Sequence, residues 1–197
     1  MFRRPLTFVL ALLAALAVAS AALAANVHIR VEGKTRTIFG ATEPRIVASS
    51  PLQALDTASL AGEFYYHVTT TSFGPYVDQI GRYAAGGTSG WVFKVNGKMP
   101  PVGADQVQLQ DGDDVLWYWA DFGPNGGGPP TLELRKSRGC YQVVAQDDNG
   151  VTRAAAGATI VAGTKRYHTA SGRLCLKKAH PAVYAVMAGA IRSNVLR

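Results

Sequence analysis

Four aspartates lie close together in the sequence, and their carboxylate oxygens could bind calcium. They are Asp105, Asp111, Asp113 and Asp114. An EF-hand loop supplies ligands at alternate positions and closes with a distal glutamate, and no such glutamate follows here. The run Asp111-Gly112-Asp113 is more typical of a solvated hairpin turn. We therefore predict no metal site at these aspartates.

The histidines and the other polar residues form no pattern that is typical of catalysis. The histidines, which lie far apart without HxH or HExxH spacing, are His28, His67, His168 and His180. The chain has no GxSxG motif and no paired carboxylates in a recognisable frame. The sequence thus predicts a non-enzymatic protein without a cofactor. An accessory domain of an enzyme is a third functional hypothesis and the weakest one.

Aromatic residues are the best candidates for ligand contact. All three tryptophans lie in two segments that alternate like strands, 90–97 and 111–119, and each segment meets an Asn-Gly or Asp-Gly turn. Successive side chains of a strand point to opposite faces of its sheet. One alternating set is therefore expected to pack beneath a helix. It consists of Trp91, Phe93, Val95, Val115 and Trp117.

A second set of aromatics is predicted to form an exposed apolar or stacking surface. Its members, which are candidates for ligand or partner contact, are Trp119, Tyr118, Tyr76, Tyr65 and Tyr66. Aromatics presented in this way suit glycans, cofactors or partner peptides. Trp119 is the best candidate for contact, because it lies at a strand end beside a glycine-rich segment.

The elements that would position these aromatics predict an α+β domain over residues 26–123. The predicted strands cover 27–33, 35–39, 63–70, 75–80, 91–97, 106–110 and 115–118. One helix separates the first two strands from the others. This order favours a β-grasp-like domain with the helix on a mixed sheet. A sandwich with one incidental helix is the alternative.

The predicted helix covers residues 50–62. Ser50 can cap its start, Pro51 suits the first helical position, and Gly62 suits a C-terminal stop. An apolar stripe that could lie on a sheet is expected from Leu52, Leu55 and Leu60, with Ala58 or Ala61.

Residues 45–120 resemble the DUF4430 family. The resemblance rests on the helix together with four motifs: Tyr-Val-x-x-Ile-Gly at 76–81, Gly-Trp-x-Phe-x-Val-Asn-Gly at 90–97, Val-Gly-Ala at 102–104 and Asp-Gly-Asp-x-Val-x-Trp-Tyr at 111–118. This family is related to the C-terminal domain of transcobalamin and intrinsic factor, the secreted vitamin B12 carriers. The resemblance implies a β-grasp-like, extracytoplasmic, non-enzymatic module. In those carriers the domain works beside a large helical domain, which this chain lacks.

A Gly/Pro-rich linker at 124–130 separates this domain from a predicted small β-sandwich at 131–197. Short alternating runs separated by turn signals indicate its strands. They cover 132–134, 141–145, 158–162, 173–177 and 183–188. The order of Gly-Ala-x-Ile at 157–160 and Thr-x-Ser-Gly-Arg at 169–173 resembles carboxypeptidase-regulatory-like β-sandwiches, which implies a spacer or stabilising module.

The first 24 residues read as a signal peptide. Arg3 and Arg4 form its positive region, an apolar run covers 6–23, and Ala22-Leu23-Ala24 supplies a small-x-small cleavage pattern. An uncleaved membrane anchor is the alternative, since the run approaches spanning length. No later run is long enough to span a membrane. We expect a secreted or extracytoplasmic protein in the cell envelope.

Two cysteines remain after the predicted signal, Cys140 and Cys175. A lone pair of cysteines within one small exported domain usually forms a disulfide. Neither cysteine lies in a CxxC or Cys/His cluster, which argues against a metal site. We therefore predict a Cys140–Cys175 disulfide in the C-terminal domain.

Charge is divided between the two predicted domains. Residues 25–127 hold seven basic and ten acidic residues, a net of −3, and residues 128–197 hold eleven basic and three acidic residues, a net of +8. The basic domain could make weak contact with polyanions or the envelope. Its basic residues are scattered, however, which favours a solvated basic face, and we expect no nucleic-acid partner.

The sequence therefore predicts an exported, non-enzymatic binding or surface-interaction module with an unknown extracytoplasmic ligand or protein partner. The alternative is a small-molecule carrier, with a corrinoid as one candidate cargo, that uses an exposed aromatic face. A carrier should show a concave pocket lined by Trp119, Tyr118 or Tyr76. An interaction module should show a flat or edge-strand surface.

Overall fold

The computed structural model describes residues 23–123, 127–178 and 180–197. Only the last two residues of the predicted signal peptide fall within these ranges, and the first three residues of the predicted linker lie outside them. The described chain is mostly β-strand with one α-helix, in agreement with the α+β prediction. A helix able to cross a membrane is not found among the described residues.

The elements before residue 123 form two sheets and the helix. They are β1 Ala25–Glu32, β2 Thr37–Phe39, β3 Arg45–Ala48, α1 Pro51–Gly62, β4 Tyr66–Thr71, β5 Gly74–Ile80, β6 Tyr83–Ala84, β7 Ser89–Val95 and β8 Asp114–Asp121. In the larger sheet β1 runs parallel to β8, and β7 pairs antiparallel with the other side of β8. β2 and β3 pair antiparallel with β1. The sheet is therefore mixed, and β7 is its last strand on one side.

β4, β5 and β6 form a separate antiparallel sheet that packs beside β7. The predicted strand at 106–110 is wrong, because these residues form no strand in the structure. Leu109 is nevertheless buried, and its N–H donates to the carbonyl of Ser49 at 2.9 Å. The segment is thus held to the start of α1 by an isolated backbone hydrogen bond and not by strand pairing.

Helix α1 begins as predicted. The Ser50 hydroxyl accepts a hydrogen bond from the N–H of Gln53 at 3.2 Å, and Pro51 occupies the first turn. At the C-terminal end of the helix, the residue with a left-handed backbone conformation is Glu63, with φ of 49°, and not Gly62. Gly62 instead allows close packing, since an added Cβ would lie 2.5 Å from the Phe39 ring.

One part of the predicted apolar stripe of α1 is wrong. Leu55 and Ala58 are buried against the larger sheet, but Leu60 is 76% exposed. At 100° per residue, Leu60 is turned about 140° from Leu55, which places it on the solvent side. Ala54, which the predicted stripe did not include, is buried in the same cluster.

The tryptophans lie where α1 meets the sheet. The predicted core set is confirmed, because Trp91, Val115 and Trp117 are buried in one cluster with α1 and the partly buried Phe93 and Val95 pack against it. The indole N–H of Trp117 donates to the Pro51 carbonyl at 3.0 Å. Since a buried indole N–H needs an acceptor, this bond fixes the helix over the sheet.

In the ranges 127–178 and 180–197, seven further strands form two antiparallel sheets. They are β9 Thr131–Ser137, β10 Cys140–Gln146, β11 Thr152–Ala154, β12 Thr159–Ala162, β13 Lys165–His168, β14 Arg173–Cys175 and β15 Val183–Val186. One sheet joins β9, β11 and β14 to β10, and the other has the order β13-β12-β15. A second hydrophobic cluster contains residues from both sheets. The predicted disulfide is confirmed and joins Cys140 of β10 to Cys175 of β14.

The face of the larger sheet that points away from α1 carries buried charged side chains. Arg30, Glu32 and Lys94 are 4%, 0% and 0% exposed. Strands β9 and β10 and the chain end cover this face through hydrogen bonds to residues of β1 and β7. Because an unpaired buried charge is costly, each of these groups must find its partners in this interface.

Lys94 reaches from β7 into the turn that follows β10. Its ammonium donates to the carbonyl of Asp147 at 2.8 Å and lies 3.4 Å from an Asp148 carboxylate oxygen. The Thr131 hydroxyl and the Gln146 carbonyl complete the acceptors, at 3.3 and 3.4 Å. Burial lowers the pKa of Lys94, and the Asp148 carboxylate opposes that shift.

Glu32 of β1 accepts most of the hydrogen bonds in the part of the interface that contains Arg192. Its carboxylate accepts hydrogen bonds from the Arg192 guanidinium at 2.8 and 3.1 Å and from the Thr37 hydroxyl at 2.9 Å. The neighbouring Arg30 guanidinium donates to Glu32 at 3.3 Å and to the carbonyl of Arg192 at 2.6 Å. The chain end is thus fixed to β1 by charge-assisted bonds.

Replacing Lys94 should therefore weaken the whole structure. We expect Lys94→Met to lower the free energy of unfolding by about 1–3 kcal/mol, because it leaves buried carbonyl acceptors without a donor. Lys165→Met, on an exposed position of β13, is the matched control and should change it by less than about 0.5 kcal/mol. Urea unfolding measures both; equal effects of the two substitutions would contradict the role given to Lys94.

Candidate ligand-binding groove

Two of the predicted contact residues are not at the surface. Trp119 is 6% exposed and Tyr118 is 0% exposed, so the prediction of exposure is wrong for both. Trp119 packs edge-on against Trp91 with ring centroids 5.6 Å apart, and Lys34 covers it at 4.5 Å. Tyr118 lies on the opposite face, beneath the turn after β10. Its hydroxyl donates to Asp148 at 3.5 Å, and burial raises its pKa.

Two other candidates, Tyr65 and Tyr66, do not line the groove that is described below. Tyr65 is 58% exposed just before β4. Tyr66 is partly buried, and its hydroxyl donates to the Asp56 carboxylate of α1 at 2.9 Å. Burial together with this carboxylate raises the pKa of Tyr66 to about 12. Tyr66 therefore holds β4 to the helix.

Tyr76, the fifth candidate, lines a concave apolar groove. The deep part of the groove has a volume of about 200 Å³ and lies between β5, β7 and the loop after β7. Its lining residues are Pro75, Tyr76, Val77, Trp91, Val92, Phe93, Met99, Pro100, Gly103, Ala104 and Trp117. None of them is charged. The groove thus borders the buried tryptophan cluster and opens to solvent at Tyr76, which is 39% exposed.

The groove continues outward over the tip of the β4–β5 hairpin. This outer part, of about 750 Å³, shares Pro75, Tyr76 and Gly103 with the deep part. Its rim carries Phe73, which is 91% exposed, and Val102, which is 45% exposed. Large apolar side chains at such exposure, gathered around one concavity, are typical of a contact site.

The hairpin tip owes its shape to a short polar turn. The Thr71 hydroxyl accepts from the N–H of Phe73 at 3.1 Å and donates to the Gly74 carbonyl at 2.8 Å. Gly74 has φ of 108°, a conformation that favours glycine. These constraints hold Phe73 at the end of the hairpin, where its ring faces solvent.

The position of Tyr76 depends on a glycine in the neighbouring strand. Its hydroxyl lies where a side chain at Gly90 would begin, 2.5 Å from an added Cβ. Burial raises the pKa of Tyr76, and a hydrogen bond from the backbone of Trp91 opposes the shift. Gly90 therefore admits the tyrosine hydroxyl against β7.

The sequence predicted only one residue of this groove, Tyr76. Phe73, Val102 and the Pro100-Pro101 pair were missed, because they lie in loops that no periodic pattern describes. A phenylalanine inside a Thr-Ser-Phe-Gly turn was an available signal, since aromatic side chains are uncommon where turn-forming residues dominate.

A second cavity, of about 260 Å³, lies between the two hydrophobic clusters and is polar. Its charged side chains are already paired: Arg30 with Glu43 at 3.1 Å, and Arg135 with Glu133 at 2.6 Å. Burial raises the pKa of Glu43, and Arg30 opposes that shift. The cavity thus belongs to the charged interface that joins the clusters.

The acidic residues before β8 bond to the protein itself. The Asp111 carboxylate accepts from the N–H of Asn26 at 2.7 Å, and Asp113 accepts from Gln110 and Asn96 at 2.8 and 2.7 Å. Asp114 lies 3.0 Å from the ring of His28. Among the described residues no group of three or more His, Cys, Asp or Glu side chains is arranged to hold a metal ion.

Comparison with known proteins agrees with the motifs. Residues 52–121 match the model of a family described as a domain of unknown function, DUF4430. No curated protein matches the chain. A solved structure from Ruminococcus gnavus ATCC 29149, provisionally called a metal binding protein, is similar at 14% identity and a TM-score of 0.37, covering 49% of this chain and 97% of that one. At this TM-score the likeness carries no argument about function.

Because the Tyr76 hydroxyl lies against Gly90, the effects of substitutions at these two positions on stability should depend on each other. Gly90→Ala should lower the free energy of unfolding by about 1–3 kcal/mol, since the new methyl group collides with the tyrosine hydroxyl. In a Tyr76→Phe background most of this cost should disappear, because the next ring atom lies 3.8 Å away.

A double-mutant cycle by chemical denaturation measures this coupling. Gly86→Ala is the control, because an added Cβ there meets nothing within 4 Å. Additive effects of Gly90→Ala and Tyr76→Phe would show that the hydroxyl does not occupy this space.

Proposed function

Since residues 52–121 carry a DUF4430 domain, we propose that the protein is an extracytoplasmic, non-enzymatic binding module whose contact site is the groove beside β7. The observation that carries this proposal is the apolar lining of the groove, whose rim exposes Phe73, Tyr76 and Val102. Burying such side chains on contact with a ligand releases free energy in proportion to the apolar area removed from water.

The compartment assignment has independent support. The Cys140–Cys175 disulfide is typical of proteins that fold outside the reducing cytoplasm. The predicted signal peptide is consistent with this, although most of it lies outside the described residues. The parallel pairing of β1 with β8 and the helix packed on that sheet support the β-grasp-like assignment of the N-terminal part.

A small-molecule carrier is the second candidate, because a concave site lined by Tyr76 is the feature expected of one. The deep part of the groove alone, at about 200 Å³, is smaller than the 300–1,000 Å³ of most small-molecule sites, and only the outer part brings the groove into that range. The deep part alone is too small to enclose a corrinoid ring. Titration with cobalamin should therefore leave the visible spectrum unchanged, whereas a saturable shift would favour the carrier.

The groove can be tested with a neutral apolar dye, N-phenyl-1-naphthylamine. We expect the dye to bind, with a change in the fluorescence of Trp91 and Trp117, which line the groove. The double substitution Phe73→Ser with Val102→Ser should weaken binding about tenfold or more, since it removes apolar contact area at the rim.

The matched control is Leu60→Ser with Tyr65→Ser. These two side chains are also exposed, at 76% and 58%, but do not line the groove. The control should bind the dye like the unchanged protein, and neither pair should shift the unfolding midpoint strongly. Equal loss in both pairs, or no binding by the unchanged protein, would overturn the proposal.

A further inference from the structure

The backbone of β7 alternates between two environments. The N–H of Asn96 donates to Asp114 at 2.9 Å, and the N–H of Phe122 donates to Thr88 at 2.9 Å. With the antiparallel register of β7 and β8, these bonds direct the backbone groups of even-numbered residues toward β8. The N–H and C=O groups of the odd-numbered residues therefore point to the open edge of the sheet.

Two of the N–H groups on this edge are satisfied by neighbouring loop residues. The N–H of Ser89 donates to the carbonyl of Gly86 at 3.1 Å, and the N–H of Val95 donates to the carbonyl of Lys98 at 2.8 Å. The Tyr76 hydroxyl stands against the strand at Gly90, 2.5 Å from where a Cβ would lie. Within the described ranges the N–H and C=O of Phe93 have no hydrogen-bond partner. One donor and one acceptor thus remain open at the middle of the strand.

This open backbone belongs to a residue that lines the groove. Phe93 lines the deep part together with Met99 and Pro100. On the other side stands β5, which pairs with β6 only at residues 79 and 80. An extended chain that entered the groove would find an unpaired donor and acceptor at Phe93 and an apolar pocket next to them. Edge strands accept added strands through this combination of main-chain bonds and side-chain pockets.

The chemistry of the surroundings defines the occupant. No lining residue of the deep or outer groove is charged, so the inserted side chain must be apolar. At the rim, the carboxylate of Asp105 lies close to Gly103, 2.6 Å from where a Cβ would stand. A basic residue flanking the inserted side chain would complement this exposed carboxylate, whereas an acidic one would be repelled.

We propose that β7 binds an extended segment of a partner polypeptide by strand addition, with main-chain pairing at Phe93 and one large apolar side chain inserted in the deep groove. This inference rests on the proposed binding function of the groove and specifies its ligand. A groove of about 200 Å³ accommodates a single such side chain. The hairpin tip and the loop after β7 form its walls.

A synthetic peptide series tests the ligand class. The peptides have the sequence Lys-Thr-Val-Xaa-Val-Thr-Lys with blocked ends, where Xaa is Leu, Phe, Asp or Lys. We expect measurable binding by calorimetry for Leu and Phe, and affinity at least about tenfold weaker for Asp and Lys. Exchanging the terminal lysines for glutamates should weaken binding as well.

Methylation of single peptide nitrogens tests the main-chain pairing. Because the main-chain pairing is proposed at Phe93, an N-methyl group should abolish binding at the peptide residue opposite Phe93 and should be tolerated where the peptide N–H faces away from β7. Uniform tolerance of N-methylation, or equal binding of all four Xaa peptides, would overturn strand addition.

A pair of protein variants tests the same edge. Phe93→Pro and Phe93→Ala both remove the ring, but only proline removes the N–H. Proline is tolerated where the N–H of an edge strand points away from its sheet, and unfolding curves verify that both variants fold. We expect Phe93→Pro to lose peptide affinity at least about tenfold relative to Phe93→Ala, while the two variants bind the apolar dye equally.

The outcomes separate the two proposals. Dye binding in the groove without binding of any peptide would overturn strand addition and leave the binding function in place. Loss of both would overturn the binding function as well. A dimer of the unchanged protein that Phe93→Pro dissociates would assign the edge to a second copy of the chain and would also overturn the peptide proposal.

Discussion

The buried ammonium group of Lys94 joins the edge strand of the larger sheet to the turn after β10. It lies among the acceptors Asp147, Asp148, Gln146 and Thr131, all of which belong to the C-terminal half of the chain. Its charge can be buried only while those acceptors are in place. The Glu32–Arg192 pair imposes the same condition on β1. The polar face of the N-terminal sheet therefore depends on the C-terminal strands to cover it, and the position of β7, on which the groove is built, depends on that cover.

Strand β7 is constrained on three of its four sides. Trp91 and Phe93 face the tryptophan cluster beneath α1, Lys94 faces the charged interface, and the even-numbered backbone groups bond to β8. Only the outer edge is left, and the Tyr76 hydroxyl occupies part of it beside Gly90. The groove is what remains between this edge, the β4–β5 hairpin and the loop after the strand. Its floor is rigid because it consists of packed aromatic rings, whereas its rim consists of loop residues that tolerate change.

Local patterns in the sequence predicted the elements that depend on local physics. The cap of α1 at Ser50, the alternation that buries Trp91 and Trp117, the DUF4430 motifs and the Cys140–Cys175 pair could all be read from residue type and spacing. The burial of Tyr118 could not, because it depends on the turn at Asp148, which lies far away in the sequence. Trp119 shares the strand face of Val115 and Trp117, and the prediction of exposure failed because Tyr83 and Lys34 extend the cover of that face to the strand end. The groove was missed because Phe73, Met99 and Val102 line it together only after the β4–β5 turn and the loop after β7 have folded. The linker and domain boundaries, and the polyanion contact of the basic half, stay predictions.

Strand addition in the groove depends on one feature, the open backbone of Phe93 between the two neighbours Val92 and Lys94, which bond to β8. Amide hydrogen exchange of the unliganded protein, followed by nuclear magnetic resonance, tests this feature directly. The N–H groups of Val92 and Lys94 are expected to exchange slowly, because they bond to β8 in the middle of the sheet. The N–H of Phe93 should exchange much faster than both. Protection of Phe93 equal to that of its neighbours would mean that the edge is already closed, and would contradict the account.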